Sequence, residues 1–275
     1  MLLKRVLTVA VLLPLFLAAL FLLPNLVWGL LLTLVAVVAG YEWGRLAGYS
    51  RVVKALFCAV LVACCLAILW WEHASDAPHA FIYSTAGKLF YCAALAFWLI
   101  VAPAWLAKRW SIRRPIVLGL AGWIVLMPFW HALVTLQPTP GRLLLAMGIV
   151  WVADTAAYFA GRRFGQRKLA PEISPGKTWE GVWGAAAAVV VYWALASTLL
   201  GGRDMHALSG LVWMLLMLVL SVVGDLFESW MKRVAGVKDS GRILPGHGGL
   251  LDRVDGLTAT LPLAALYFAY PFAGI

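Results

Sequence analysis

Between Asp225 and Gly256 the chain crowds five carboxylates (Asp225, Glu228, Asp239, Asp252, Asp255), five cations (Lys232, Arg233, Lys238, Arg242, Arg253) and the glycine-rich run Gly246-His247-Gly248-Gly249 between two strongly apolar segments. Asp225 and Ser229 are four apart, and Asp252 and Asp255 three apart, so each pair shares one face of a helix. Asp225, Asp252 and Asp255 meeting at one depth would repel without a counterion. A hard divalent cation answers that repulsion: Mg²⁺ takes a few carboxylates and completes its shell with water and phosphate oxygens. The cations can neutralise a polyphosphate. Gly248 and Gly249 let backbone amides approach phosphate closely, as in an anion-binding nest. His247, set among them, is placed to touch phosphate or move a proton. Glu228 is either a further ligand or the partner of Lys232.

A second polar cluster runs from Asp154 to Gly181. Asp154 and Tyr158 share a helix face, and an intramembrane carboxylate costs about 2.5–3.5 kcal/mol, so it faces a partner or a watery cavity. In the loop Ser174-Pro175-Gly176-Lys177-Thr178, Pro175 and Gly176 predict a turn and Thr178 a helix N-cap. Hydroxyls, an ammonium and helix N-terminal amides then face the same way, which suits an anion. Gly176-Lys177-Thr178 is not a P-loop, because position 171 is proline and no strand is predicted before it. Carboxylates for a metal with cations and amides for phosphates point to nucleotidyl or phosphoryl transfer, chemistry that rests on positioning and charge stabilisation.

The elements that carry these residues are membrane helices. The chain is 64% apolar and only 12% charged, against roughly 25% charged in soluble domains. Apolar runs near the bilayer-spanning length recur along it. They predict an all-α, polytopic membrane protein with nine spans: 6–23, 26–43, 52–71, 89–107, 116–135, 141–161, 179–200, 207–228 and 256–273. With the N-terminus in the cytoplasm, every one of the 22 Lys and Arg except Lys88, Arg142 and Arg203 falls on the inner side, as the positive-inside rule requires. The net charge of +10 is mostly this topology signal. It favours an anionic leaflet and anionic substrates, and no nucleic-acid module accompanies it. Lys4-Arg5 before an apolar run resembles the start of a signal peptide, but no small-x-small site follows, so an uncleaved first span is expected. Cys58, Cys64, Cys65 and Cys92 lie within apolar spans without metal or disulfide spacing. Residues 1–140 read as a scaffold of five spans, and 141–275 as the region carrying the chemistry, within one membrane domain. Glu42, beside Trp43 and Arg45, reads as an interfacial anchor with a local ion pair. His73, Asp76 and His79 read as solvated loop residues.

The run Ser229-x2-Lys232-Arg233-x4-Lys238-Asp239-x-Gly241-x2-Leu244-Pro245-Gly246-His247-Gly248-Gly249-x2-Asp252-Arg253-x-Asp255 resembles the signature of phosphatidate cytidylyltransferases, also called CDP-diacylglycerol synthases. The stretch from Asp154 to Gly181 is similar to that family too, with Ala156 where many members carry glycine. The resemblance is good over about 141–260; earlier residues match only as apolar spans. It implies a reaction of CTP with phosphatidate, giving CDP-diacylglycerol and pyrophosphate with Mg²⁺; a monovalent cation beside the Mg²⁺ stays open. It also implies a helical, often dimeric protein of the inner (cytoplasmic) membrane, with a polar cavity open to cytoplasm and lipid. Carried over by position, Asp225, Asp252 and Asp255 are metal-site carboxylates. Lys232, Arg233, Lys238 and His247 are phosphate contacts, and Ser174, Lys177 and Thr178 further substrate contacts. Asp239 matches without a definite role. Two other classes compete. A CDP-alcohol phosphotransferase needs a D-G-x2-A-R run that is absent here. An ion-coupled transporter using Asp154 and Asp225 needs carboxylates near mid-bilayer and paired broken helices.

Overall fold

The computed structural model describes residues 2–75, 79–199, 207–243, 246 and 248–270. Over the described residues, the predicted spans coincide with helical chain. In chain order these are α1 (Leu2–Leu22), α2 (Asn25–Leu46), α3 (Arg51–Ala74), a short α4 (Ala80–Tyr83), α5 (Thr85–Ala96) and α6 (Ala102–Ala107). Then come α7 (Pro115–Leu136), α8 (Pro140–Phe164), a hairpin of β1 (Lys168–Ala170) and β2 (Ser174–Thr178), α9 (Trp179–Leu199), α10 (Ala207–Val234) and α11 (Leu251–Ala269). Among the described residues, seven segments are long and apolar enough to cross a membrane: Asn25–Leu46, Arg51–Ala74, Thr85–Ala107, Pro115–Leu136, Pro140–Phe164, Trp179–Thr198 and Ser209–Val234. The chain is thus an all-α, multi-pass membrane protein. In α1 the apolar stretch Thr8–Leu22 is shorter, and α11 opens with Asp252, Arg253 and Asp255.

The fourth predicted span is one helix with a flaw. A π-helical turn, Phe97–Val101, joins α5 to α6. It lies just before Pro103, whose missing N–H and bulky ring disturb the hydrogen-bond ladder.

The middle of the molecule is α7, buried along most of its length. It packs against α2, α3, α5 and α11. Indole N–H groups tie α2 to it: Trp28 Nε1 donates to Leu133 O at 3.0 Å and Trp43 Nε1 to Leu118 O at 2.9 Å. Each such bond satisfies a polar atom that lipid could not. Toward the other end of α7, buried His131 faces the Tyr91 hydroxyl at 2.7 Å and Glu72 Oε1 at 3.4 Å. Glu72 also accepts the Phe81 amide at 3.2 Å, so it is held within the fold. His73 Nδ1 lies 3.1 Å from Leu69 O, and Asp76 lies outside the described residues.

Around Phe227 of α10, the rings of Trp43, Phe97, Trp98 and Trp105 stand edge-on or stacked. This box fixes the C-terminal part of α10 against α2 and the α5–α6 segment. Helices α8 and α9 run closer still. A Cβ on Gly184 would overlap Ala160 Cβ, and one on Gly181 would come 2.9 Å from Ala157 O. Small residues of this kind let two membrane helices touch along their backbones. Those two glycines therefore set the spacing of the helices that frame the polar cavity.

Candidate active site

The end of α8, the β-hairpin, the start of α9 and the C-terminal half of α10 enclose a cavity of about 600 Å³. Asp154, Tyr158, Arg162, Lys168, Ser174, Lys177, Thr178, Ser221 and Asp225 give it polar walls, and Ala157, Val182, Ala185, Leu218 and Val222 apolar ones. Lys177 Nζ lies 2.6 Å from Asp225 Oδ2, with about a quarter of each side chain exposed. Ser229 Oγ donates to Asp225 Oδ1 at 3.3 Å, as the four-residue spacing predicts. Asp154 is open to the cavity and stands in the field of both Asp225 and Lys177. On α8, the Tyr158 hydroxyl receives a bond from Arg162 Nη1 at 3.1 Å.

The hairpin departs from the sequence reading. Pro175 and Gly176 lie inside β2, and the turn falls at residues 171–173, closed by Ile173 N donating to Ala170 O at 3.1 Å. β1 and β2 pair antiparallel, Lys168 opposite Thr178 and Ala170 opposite Ser174. Ser174 and Lys177 therefore project into the cavity from a strand with an irregular register, not from a turn. Thr178 is the expected cap: its Oγ1 accepts from Gly181 N at 3.2 Å, and it is buried. Glu180, which the sequence did not single out, accepts the Gln166 and Arg167 amides at 3.1–3.2 Å and closes the turn from α8 into β1. Arg233 Nε donates to Ile173 O at 3.3 Å, joining the end of α10 to the hairpin. Arg109 pairs with Glu172 across the exposed hairpin tip at 2.9 Å.

A second network adjoins the cavity. Lys232 Nζ sits between Glu228 Oε2 at 2.8 Å and Asp252 Oδ1 at 2.7 Å. The second oxygen of Asp252 accepts from Ser240 N at 2.9 Å, Ser240 Oγ at 3.0 Å and Gly249 N at 2.8 Å. Asp252 is therefore engaged on both oxygens by loop amides, a hydroxyl and a lysine. Gly248 has φ +90° beside it, a conformation that favours glycine. Asp255 points elsewhere. Its Oδ1 accepts the Gly256 amide at 2.8 Å, and it stands in the fields of Asp225, Asp154 and Lys232. Glycine at 224 lets the backbones of α10 and α11 meet here, since a Cβ there would come 2.6 Å from the Asp255 main-chain O. Glu228 Oε1 is buried with no hydrogen-bond partner.

The structure thus gathers Asp154, Ser174, Lys177, Thr178 and Asp225 around one cavity, with Ser229 and Asp255 adjoining. Lys232, Asp252, Gly248 and Gly249 belong to the neighbouring network. Lys238 and Asp239 are exposed, and His247, Leu244 and Pro245 lie outside the described residues. Among the described residues no three His, Cys, Asp or Glu side chains converge into a ready-made metal cage. The carboxylates lining the cavity are Asp154 and Asp225, and Asp225 is held by Lys177 and Ser229, so an ion there would take few protein oxygens and complete its shell with water and phosphate.

Glu42 is where the sequence reading fails. It is not a surface anchor paired with Arg45. It is 2% exposed, and it accepts from Ser240 Oγ at 3.0 Å, Leu250 N at 3.0 Å and Leu251 N at 2.9 Å. Arg45 Nη2 donates to Asp239 O at 2.7 Å. The apolar context and the neighbouring Trp43 gave no signal of partners some two hundred residues away.

This membrane helix bundle holds a cation–carboxylate cavity between α8, the β-hairpin, α9 and α10, and its relatives make it a membrane-embedded nucleotidyltransferase. The sequence profile of the Cytidylyltransferase family matches residues 3–271, and the chain belongs to that family. Among its relatives, a phosphatidate cytidylyltransferase of Pseudomonas aeruginosa is 40% identical, with 98% of each chain covered. One of Haemophilus influenzae is 33% identical over 98% of this chain and 99% of its own. A third, from Brucella suis, is 49% identical over 46% of each chain.

Proposed function

We propose that this chain transfers a cytidylyl group from CTP to phosphatidate, giving CDP-diacylglycerol and pyrophosphate in phospholipid biosynthesis. The observation that carries this reading is the Lys177–Asp225 pair, set beside Asp154 in a cavity with polar and apolar walls, in a chain related end to end to proteins named phosphatidate cytidylyltransferase. In this reaction an ionised phosphate oxygen of phosphatidate attacks the α-phosphorus of CTP. A new P–O bond forms, the α–β bridging P–O bond breaks, and pyrophosphate leaves with its electron pair. The attacking oxygen is already ionised near neutral pH, so little base catalysis is needed; holding the reactants in line and offsetting charge supply most of the acceleration.

Lys177, Lys168 and Arg162 are the cations that line the cavity, and they are assigned to phosphate groups. The apolar wall of Val182, Ala185, Leu218 and Val222 is assigned to the glycerolipid. Lys232, fixed between Glu228 and Asp252, supports the same charge from the adjoining network. Mg²⁺ belongs to this proposal. Asp225 and Asp255, with Asp154 beside them, would hold it, and it would neutralise charge developing on the pyrophosphate. Of the expected metal trio, Asp252 is assigned instead to positioning, because its Oδ2 accepts three loop hydrogen bonds and its Oδ1 is held by Lys232, whereas Asp225 has one partner on each oxygen. A monovalent cation has no separate donor set in this assignment. The basic loops gathered around the site, Arg45, Arg109 and Arg233 among them, support an orientation facing the cytoplasm from the inner membrane. The homodimer implied by the resemblance belongs to the same reading and is checked by single-particle mass in nanodiscs.

The test is stoichiometric. Purified chain in mixed micelles should release pyrophosphate from CTP only when phosphatidate and Mg²⁺ are both present. Pyrophosphate release without phosphatidate, or transfer equally efficient to diacylglycerol, would sink the assignment.

A further inference from the structure

Helix α11 carries Asp252 and Asp255 at its start, yet its N-cap position is Leu250, which offers no side-chain acceptor. The first amides of a helix have no partner within it, and a serine or aspartate at the cap usually supplies one. Here the acceptor comes from another helix. Glu42, near the end of α2, takes Leu250 N and Leu251 N on its two oxygens at 3.0 and 2.9 Å. Asp252, from within α11, takes Gly249 N at 2.8 Å. The Ser240 hydroxyl lies 3.0 Å from both carboxylates and joins them. One turn beyond Glu42, Arg45 holds Asp239 O at 2.7 Å, so a single face of α2 grips both ends of the loop.

The space is shaped for this carboxylate. A Cβ on Gly241 or on Gly249 would overlap Glu42 or come within bonding distance of it. A buried carboxylate is expensive unless it is fully hydrogen-bonded. A local cap at position 250 would have avoided that expense. The arrangement found ties the order of the loop, and the register of the first turn of α11, to α2.

We propose that Glu42 is a positioning residue for the transfer reaction: it caps α11 from α2 and thereby sets where Asp255 and Asp252 stand relative to Asp225 and Lys232. The inference rests on the reading given above. A small misplacement of catalytic groups can cost about 10²-fold in rate, so the effect should appear in turnover rather than in substrate capture.

Glu42→Gln keeps the shape but sets an NH₂ group against an amide that needs an acceptor. Glu42→Asp keeps the charge at one methylene less reach. Full-length variants in nanodiscs are followed by amide hydrogen exchange over residues 236–251 and by kcat and KM for CTP. For Glu42→Gln the expected result is local exchange at least about tenfold faster, other helices unchanged, kcat lowered by about 10²-fold with KM within a fewfold, and partial recovery in Glu42→Asp. Unchanged local exchange would overturn the proposal. So would exchange raised equally in every helix, or native kcat in Glu42→Gln. If the native chain itself transfers nothing, the reading of function fails, and the exchange measurement alone decides whether Glu42 orders the loop.

Discussion

Lys177 and Asp225 are drawn from opposite sides of the cavity and meet at 2.6 Å. Each is about a quarter exposed, so solvent still reaches the pair and weakens it toward the roughly 1 kcal/mol of surface pairs. Asp225→Asn should leave the melting temperature in detergent nearly unchanged while lowering turnover by about 10²–10³-fold, the usual loss when one preorganised charge is removed. Asp252 differs. Its side chain is 4% exposed and pairs with Lys232, and breaking a buried pair costs about 3–5 kcal/mol. Asp252→Ala should therefore lower the melting temperature as well as the activity. Equal thermal shifts in the two variants would show that the two aspartates are not divided between cavity and loop as described. Spacing alone made the Asp225–Ser229 contact legible, because four residues is one helical turn. It could not divide the three aspartates, since which oxygens the Ser240 and Gly249 amides occupy depends on how the loop closes. Glu42 was illegible for the same reason: its partners are distant in sequence.

Among elements, the α8–α9 pair and its hairpin decide the shape of the cavity. Backbone contact at Gly181 and Gly184 leaves no room for larger side chains. Gly184→Leu should destabilise the protein by about 1–3 kcal/mol through overpacking, read as a lower melting temperature, and should reduce activity by splaying the helices. Native stability in that variant would contradict the packing described. Asp154, Lys177 and Thr178 were legible as one polar cluster, but the hairpin was not. Its strands have only three and five residues, too few to show alternation, and Pro175-Gly176 carries a strong turn signal that pairing with β1 overrides. The π turn at Phe97–Val101 was hidden likewise, since an apolar run looks the same with or without one extra residue in a turn.

At the scale of the whole molecule, run length and the placement of Lys and Arg made the helices legible, because lipid demands long apolar segments with satisfied backbones. Sidedness is the expectation to measure. In a cysteine-free background, Arg109→Cys and Arg162→Cys should resist a membrane-impermeant thiol reagent in intact spheroplasts and react after lysis, whereas Lys88→Cys should react from outside. The reverse pattern would overturn the orientation. What joins topology, cavity and loop is the proposed transfer of a cytidylyl group to phosphatidate at the cavity between α8, α9 and α10. The most direct test incubates membranes holding equal amounts of native chain or Asp225→Asn with phosphatidate, Mg²⁺ and CTP labelled in its cytosine. The account predicts chloroform-soluble label with the native chain, dependent on phosphatidate and nearly lost in the variant; no lipid-soluble label above the Asp225→Asn level would contradict it.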